Sequence, residues 1–237
     1  MKSVAKVVEE KIQRLPRGMV ITYDTFGNLA VTERKAVAQA LSRLAKRGAI
    51  KQLCRGRYYK PEQGRYGALP LSEREQLRGA LENGYISGTE AFNRLGITTQ
   101  ISAEVVIATP GKAYTTRIGN LSVKYVRANV SETPQDVELV MLLDALKQVK
   151  NVQDASPDRV VTVVKQRVGE MSRTQVETLT TLVAEYPPRV RAILGAILET
   201  SGRKRQSLRL KASLNSLSKY KVGIKNALSN LKEWNLL

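Results

Sequence analysis

Residues 41–60 read LSRLAKRGAIKQLCRGRYYK, and this stretch decides the fold of the N-terminal part of the chain. Apolar residues at helical spacing stop at Gly48, where the glycine that follows a helix C-cap is expected. Residues 50–53 and 57–60 then flank Arg55 and Gly56 and predict a hairpin around a tight turn. A helix, a glycine stop and a basic hairpin in this order are typical of a winged helix.

The residues before this stretch supply the rest of that pattern. Residues 4–15 have apolar positions at helical spacing, and Pro16 ends the run, so a first helix is expected there. Residues 19–22, MVIT, predict a short strand. Thr22 and Thr32 are of a residue type that caps helices, and we expect each to begin one. The resulting order of helix, strand, helix, helix and hairpin predicts a winged helix-turn-helix.

The charge of the chain favours a polyanionic partner. The 237 residues include 39 Lys and Arg against 21 Asp and Glu, a formal net charge of +18. Residues 1–62 alone hold 14 of these cations and 5 of these anions. Such an excess suits nucleic acid, an acidic protein or anionic lipid. The sequence shows neither a signal peptide nor a membrane-spanning run, so we expect a cytoplasmic protein with no membrane partner.

The third predicted helix carries the candidate DNA-binding residues. In a helix-turn-helix this helix lies in the major groove, and a wing flanks it along the backbone. Arginine can pair with guanine and glutamine with adenine, and both types face away from the predicted apolar side. The candidates on this face are Arg34, Lys35, Gln39, Ser42, Arg43 and Lys46. We expect Arg55 and Arg57, at the wing tip, to reach phosphates or a minor groove.

An alternative stays open for this segment. A basic helix face is often only solvated, and winged helices also serve as docking modules for proteins. The chain could therefore be a protein- or RNA-binding module that never touches DNA. Within the wing, Tyr58 and Tyr59 alternate, so we expect one to be buried and the other exposed.

The remaining sequence predicts two further segments and an α+β fold that is mostly helical. A Pro/Gly-rich stretch at residues 60–70 looks like a linker. Residues 63–130 indicate a small α/β domain, with helices over residues 71–83 and 89–95 and an antiparallel meander of strands at 104–109, 113–119 and 121–128. Residues 131–237 indicate a bundle of about five helices, because Pro134, Ser156, Ser172 and Pro187 each precede a helical pattern. The winged helix would occupy residues 1–62.

A second basic cluster lies in the C-terminal segment. Between Glu199 and Glu233 the sequence contains no acidic residue. A solvated helix face would explain this, but the cluster could also bind an acidic protein or an RNA. The candidate partner-binding residues are Arg203, Lys204, Arg205, Arg209 and Lys211.

Catalysis finds little support in the sequence. The chain has no histidine, which removes the commonest general base and the commonest metal ligand. Its one cysteine, Cys54, cannot form an internal disulfide or a cysteine-rich zinc site. Neither a phosphate-binding glycine loop nor a nucleophile motif is present. We therefore expect no catalytic residues, no metal and no cofactor.

Three stretches of the sequence resemble a known family. AVAQALSRLAKRGAIKQLCRGRYYKP (36–61) resembles the winged-helix segment of AbiEi-family antitoxins, and residues 84–125, with LGITTQ and TRIGN, resemble their middle domain. Residues 213–235 resemble the end of one branch of that family.

The resemblance implies an antitoxin of a bacterial type IV toxin–antitoxin system. Such a protein binds inverted repeats in the promoter of its own operon and represses transcription. Its C-terminal part counters a nucleotidyltransferase-like toxin, either by direct binding or through a shared substrate. By position, the base-contacting residues would lie around residues 32–43, which adds Thr32 to the candidates, and the wing at residues 55–58.

Overall fold

The computed structural model describes residues 3–65, 67–81, 83–130 and 136–237, and its fold is α+β. The α-helices of this part of the chain are α1 (Val4–Arg14), α2 (Asn28–Thr32), α3 (Arg34–Lys46), α4 (Glu73–Leu77), α5 (Gly88–Arg94), α6 (Val137–Lys147), α7 (Pro157–Glu170), α8 (Arg173–Leu182), α9 (Pro188–Thr200) and α10 (Lys204–Ala212). The strands are β1 (Val20–Ile21), β2 (Lys51–Cys54), β3 (Arg57–Tyr59), β4 (Glu62–Gly64), β5 (Gly67–Leu69), β6 (Tyr85–Ser87), β7 (Glu104–Thr109), β8 (Tyr114–Ile118) and β9 (Leu121–Arg127). None of these helices is long and apolar enough to cross a bilayer.

The chain divides into two compact units. The first comprises Met1–Glu82 and Thr115–Val123, and the second comprises Asn83–Tyr114 and Lys124–Leu237. The three-part division of the sequence into residues 1–62, 63–130 and 131–237 stays a prediction.

The first unit confirms most of the predicted N-terminal elements. β1, β3 and β2 form a three-stranded antiparallel sheet in that order, with Val20 opposite Tyr59 and Gln52 opposite Tyr58. Val37, Ala40, Leu41 and Leu44 of α3 are buried in one core with residues of α1 and the sheet. Gly48 follows the C-cap of α3 with a φ of +76°, as the sequence predicts.

The predictions that Thr22 and Thr32 cap helices were both wrong. The hydroxyl of Thr32 donates to the carbonyl oxygen of Asn28 at 3.1 Å, so it closes α2 and does not cap α3. Thr22 is not an N-cap either, because the next element, the 3-10 helix Asp24–Phe26, begins after Tyr23 and has no side-chain cap. The nearby backbone offers threonine hydroxyls more than one partner, and sequence spacing does not decide between them.

The expected contrast between the two wing tyrosines was also wrong. Tyr58 and Tyr59 are both buried, each with 7% of its surface exposed. Their strand, β3, is the central strand of its sheet, and only Tyr58 belongs to the core shared with α1 and α3. Because neighbouring side chains of a strand point to opposite faces, both faces of this sheet are covered at β3.

The middle of the chain contains more strand than the sequence predicts. β4 and β5 pair as a hairpin in a stretch that looked like a linker. β6 was not predicted, and it pairs antiparallel with β7, with Ile86 opposite Ile107. The helix expected over residues 71–83 is shorter, because α4 ends at Leu77 and a 3-10 turn, Arg78–Ala80, follows.

The predicted meander was wrong in its strand order. The sheet has the order β6-β7-β9-β8, so β9 lies between β7 and β8. The exposure of the strands explains this order. β8 is largely exposed, as suits an edge strand, whereas β9 buries Val123 and Tyr125 and takes the inner position.

The C-terminal helices confirm most of the predicted starts. Ser156 and Ser172 accept hydrogen bonds at the starts of α7 and α8, and Pro188 opens α9. The start expected at Pro134 lies outside the described residues. Five α-helices follow residue 136, and a tail runs from α10 to Leu237 with a short 3-10 helix, Lys232–Trp234.

Candidate nucleic-acid interface

The candidate base-contacting residues of α3 share one exposed surface. The opposite face of the helix is buried in the core of the first unit, which fixes the orientation of this surface. The exposed members are Thr32, Arg34, Lys35, Gln39, Ser42, Arg43 and Lys46. The structure therefore presents all seven side chains to solvent on or just before a single helix.

The start of α3 and the turn of the β2–β3 hairpin line the same cleft. This cleft has a volume of about 520 Å³, and Arg34, Arg55 and Arg57 all contribute to its walls. Its other lining residues are Thr22, Tyr23, Asp24, Gly27, Ala30, Val31 and Gly56. Three cations against the single carboxylate of Asp24 leave an excess of positive charge around this groove, and such an excess attracts phosphate groups.

Tyr23 connects the two walls of this cleft, and the sequence did not single it out. The guanidinium of Arg34 lies over the Tyr23 ring, 5.1 Å from its centroid. On the hairpin side, a Cβ on Gly56 would lie 3.0 Å from the same ring. Gly56 also has a φ of +78°, which side-chain-bearing residues rarely adopt. Tyr23 thus packs between Arg34 of α3 and Gly56 of the turn.

Arg57 has a different position from the other candidates. It is half-buried, and its guanidinium donates a hydrogen bond to the carbonyl oxygen of Gly79. Arg55, two residues earlier, is exposed at the turn. The side chain of Arg57 is therefore already bound within the protein, and Arg55 is the better placed of the two for a phosphate contact.

Other cations of the N-terminal segment have structural partners. The ammonium of Lys60 donates to the carbonyl oxygens of Ile12, Gln13 and Leu15 at 3.2, 2.7 and 2.9 Å, at the end of α1. Arg47 forms a 3.1 Å ion pair with Glu9. Burial raises the pKa of the Cys54 thiol, and the charge of Arg57 opposes this only in part, so the thiol is neutral near pH 7. Exposed cations lie on α3 and at the hairpin turn, and also at Lys6, Arg14, Arg17 and Lys51.

The second basic cluster, in the C-terminal segment, also contains both cations that contact other parts of the protein and cations that are only exposed. Arg203 donates to the carbonyl oxygen of Met171 at 3.1 Å, and the ammonium of Lys211 lies 5.1 Å from the centre of the Trp234 ring. Lys204, Arg205 and Arg209 are exposed on α10. Among the described residues, Arg203 and Lys211 thus contact other parts of the protein in this way, whereas the other three candidate partner-binding residues lie at the surface.

Trp234 holds the C-terminal tail against α9. Its indole N–H donates to a carboxylate oxygen of Glu199 at 2.7 Å. This hydrogen bond is the main reason that the pKa of Glu199 lies below its ordinary value. A Cβ on Gly195 would lie 2.2 Å from the indole ring, so only glycine fits there. The tail is therefore fixed on α9, which also contacts α10, because the hydroxyl of Ser207 donates to the carbonyl oxygen of Gly195 at 3.0 Å.

Sequence reasoning missed a buried polar network in the second unit. Asp144 of α6 has only 3% of its surface exposed. One carboxylate oxygen accepts from the hydroxyls of Tyr85 (3.0 Å) and Ser87 (2.9 Å). The other accepts from the amide of Asn129 (2.9 Å) and the hydroxyl of Tyr186 (2.9 Å). A single carboxylate thus joins the β6 region, the chain after β9, α6 and the segment before α9.

The two tyrosines of this network are neutral donors. Burial, and then the negative charge of Asp144, raise the pKa of Tyr85 and of Tyr186 far above the ordinary value. In the sequence, Asp144 lies among eight apolar residues of α6, and a polar residue at such a position is the one signal that could have indicated the network. Elsewhere, the described residues contain no group of three or more His, Cys, Asp or Glu side chains placed to hold a metal.

The fold and this surface define a small α+β protein with an exposed basic helix next to a basic hairpin turn. Residues 7–171 match the family of unknown function DUF6088, and the chain belongs to this family. A comparison with curated protein sequences gives no match. Among solved structures, the chain is similar to the RV2827C protein from Mycobacterium tuberculosis. The two are 16% identical over 98% of this chain and 89% of that one, with a TM-score of 0.44.

Proposed function

We propose that this chain is a DNA-binding antitoxin that represses its own operon from the cytoplasm. Its N-terminal segment would be a winged helix-turn-helix, with α3 in the major groove and the β2–β3 hairpin as the wing. The observation that carries the DNA-binding part is the shared cleft, where Arg34 of α3 and Arg55 of the turn face one groove. The antitoxin part is supported by the resemblance to AbiEi-family proteins, together with the exposed cations of α10. The chain would act by binding, with no catalysis and no cofactor.

The geometry supports DNA over a purely protein partner. The core of a protein–protein interface is depleted in charged residues, whereas seven polar or cationic side chains occupy this helix face. One apolar side chain, Val31, is 81% exposed at the end of α2 and lines the cleft. Next to cations that hold phosphates, such a side chain can contact a thymine methyl group in the major groove.

Substitutions on α3 and at the turn should separate base recognition from phosphate binding. We expect Arg43→Ala to weaken binding to the promoter by about 1–3 kcal/mol and binding to unrelated DNA much less, because a base contact carries sequence information. Arg55→Ala should weaken both about equally, because every sequence has the same phosphates. Fluorescence anisotropy with both duplexes measures the two losses. If Arg55→Ala alone changes the sequence preference, the two roles are assigned the wrong way round.

The exposed cations of α10 should be needed for antitoxin activity and not for promoter binding. We expect reversal of Lys204, Arg205 and Arg209 to glutamate to abolish rescue of cells that express the neighbouring toxin, while promoter affinity stays within about threefold. Arg203 is left intact because it supports the fold through Met171. The control reverses three exposed lysines elsewhere: Lys112, Lys150 and Lys232. Growth on co-expression is the measurement, and full rescue by the α10 variant would contradict the assignment.

A further inference from the structure

The second unit contains a cavity that DNA binding does not use. Its volume is about 420 Å³, and it lies between one face of the β7–β9 part of the sheet, the start of α5 and the end of α6. Small-molecule sites commonly have volumes of roughly 300–1,000 Å³. The cavity therefore has the size of a site for a compact metabolite.

Strands β7 and β9 form the floor of this cavity. Val106 and Ala108 of β7 line it, together with Lys124 and Val126 of β9. The residues between them are buried on the other side of the sheet, namely Ile107 and Tyr125. Because side chains alternate along a strand, the same packing that buries one face turns Lys124 into the cavity.

The charged groups of the cavity leave an excess of positive charge. Lys124, Arg127 and Lys147 line it, against the single carboxylate of Asp144. That carboxylate already accepts four hydrogen bonds, so little of its capacity is left for a ligand.

The Asp144 network also positions one of these cations. The amide nitrogen of Asn129 donates to Asp144, and its oxygen accepts from the ammonium of Lys147 at 2.6 Å. An ammonium has three donors, so Lys147 keeps two for a ligand. A buried and fully bonded carboxylate thus fixes Asn129, and Asn129 fixes Lys147 at the wall of the cavity.

The remaining walls combine amides with apolar groups. Gln148, Asn151 and Gln153 offer donors and acceptors, while Phe92 and Val152 offer apolar surface. We propose that this cavity binds a phosphorylated small molecule, whose phosphate is held by Lys124, Arg127 and Lys147. A phosphate monoester carries a charge of about −1.5 to −2 at pH 7, which matches the excess of two cations. The amides and the apolar wall would contact the rest of the molecule. This site is independent of the proposed DNA-binding surface.

The test uses the full chain and defined probes. AMP, ribose 5-phosphate and inorganic phosphate are titrated by isothermal calorimetry at constant ionic strength, with adenosine and ribose as uncharged controls. We expect at least one phosphate ester to bind with a Kd below about 1 mM, and the matching uncharged compound to bind at least about tenfold more weakly. If none of the phosphorylated probes binds at this level, the proposal is overturned.

Matched variants separate this cavity from the general positive charge of the surface. Lys124→Gln with Arg127→Gln removes two charges at the cavity, and Lys219→Gln with Lys221→Gln removes two exposed charges outside its lining. The first pair should weaken binding of the phosphate ester by about tenfold or more, and the second by less than about twofold. Equal losses in both variants would show binding to surface charge and would overturn the proposal.

A second measurement needs no variant. Chemical acetylation of the wild-type protein, followed by mass spectrometry, reports the accessibility of each lysine. The bound ester should protect Lys124 and Lys147 but not Lys150, which is exposed on the same segment as Lys147. Protection of all three lysines, or of none, would contradict the assignment even if the double variant failed to fold.

Discussion

Replacing Asp144 by alanine is expected to lower the free energy of unfolding by about 3–5 kcal/mol. The carboxylate accepts hydrogen bonds from Tyr85, Ser87, Asn129 and Tyr186, and only 3% of the surface of Asp144 is exposed. Alanine would remove the acceptor that these donors share and would also open a small void. The Tyr186 hydroxyl keeps a second acceptor, the carbonyl oxygen of Val140 at 3.4 Å. Each donor that is buried without a partner costs on the order of 1–3 kcal/mol, and such costs are not fully additive.

Chemical denaturation with urea, followed by circular dichroism, measures this loss. Asp144→Asn keeps the size of the side chain but removes the charge, so its cost should fall between the wild type and Asp144→Ala. Glu170→Ala, at an exposed carboxylate of α7, serves as the control and should change stability by less than about 0.5 kcal/mol. A loss below about 1 kcal/mol for Asp144→Ala would contradict the central role of this network.

The affinity of the full chain for duplex DNA is expected to fall by roughly three to four orders of magnitude between 50 and 200 mM salt. With about five to eight phosphates contacted per site, the slope of log K against log salt would be about −4.5 to −7. The expectation rests on the exposed cations of α3 and on Arg34 and Arg55 around one cleft. Each phosphate contact releases bound counterions, and added salt opposes that release.

A triple variant shows where these contacts lie. Lys35→Gln, Lys46→Gln and Arg55→Gln together should make the slope shallower by about 1 for each phosphate contact that is lost. The control is a variant with Lys219→Gln and Lys221→Gln, which lowers the net charge in the C-terminal segment, far in sequence from α3. It should keep the wild-type slope. A wild-type slope near zero would contradict electrostatic binding to DNA altogether.

The local elements that the sequence predicts well are those in which a single physical cause dominates. The buried face of α3 follows from helical spacing, and its end follows from Gly48, whose positive φ suits only a few residue types. Once the buried face of α3 is known, the remaining positions must face solvent, and its candidate residues are all at the surface. Ser156 and Ser172 cap their helices for the same local reason.

The features that sequence analysis missed depend on contacts between distant segments. The order of β8 and β9 depends on which of the two strands pairs with a neighbour on both of its edges. The residue pattern within a single strand does not contain this information. The sequence predicts Arg57 as an exposed wing residue, but its guanidinium donates a hydrogen bond to the carbonyl oxygen of Gly79, which lies in a distant part of the sequence. The Asp144 network joins residues from 85 to 186, and none of its hydroxyl donors has a distinctive local sequence.

The most direct test of the proposed function is a comparison of two duplexes with the full chain at 150 mM salt. One carries the sequence upstream of its own reading frame, and the other has the same base composition in scrambled order. If the chain is a repressor of its operon, it should bind the upstream duplex at least about 10³-fold more tightly, and footprinting should place the protected bases on an inverted repeat. Equal affinity for the two duplexes, or no binding to either, would contradict the account.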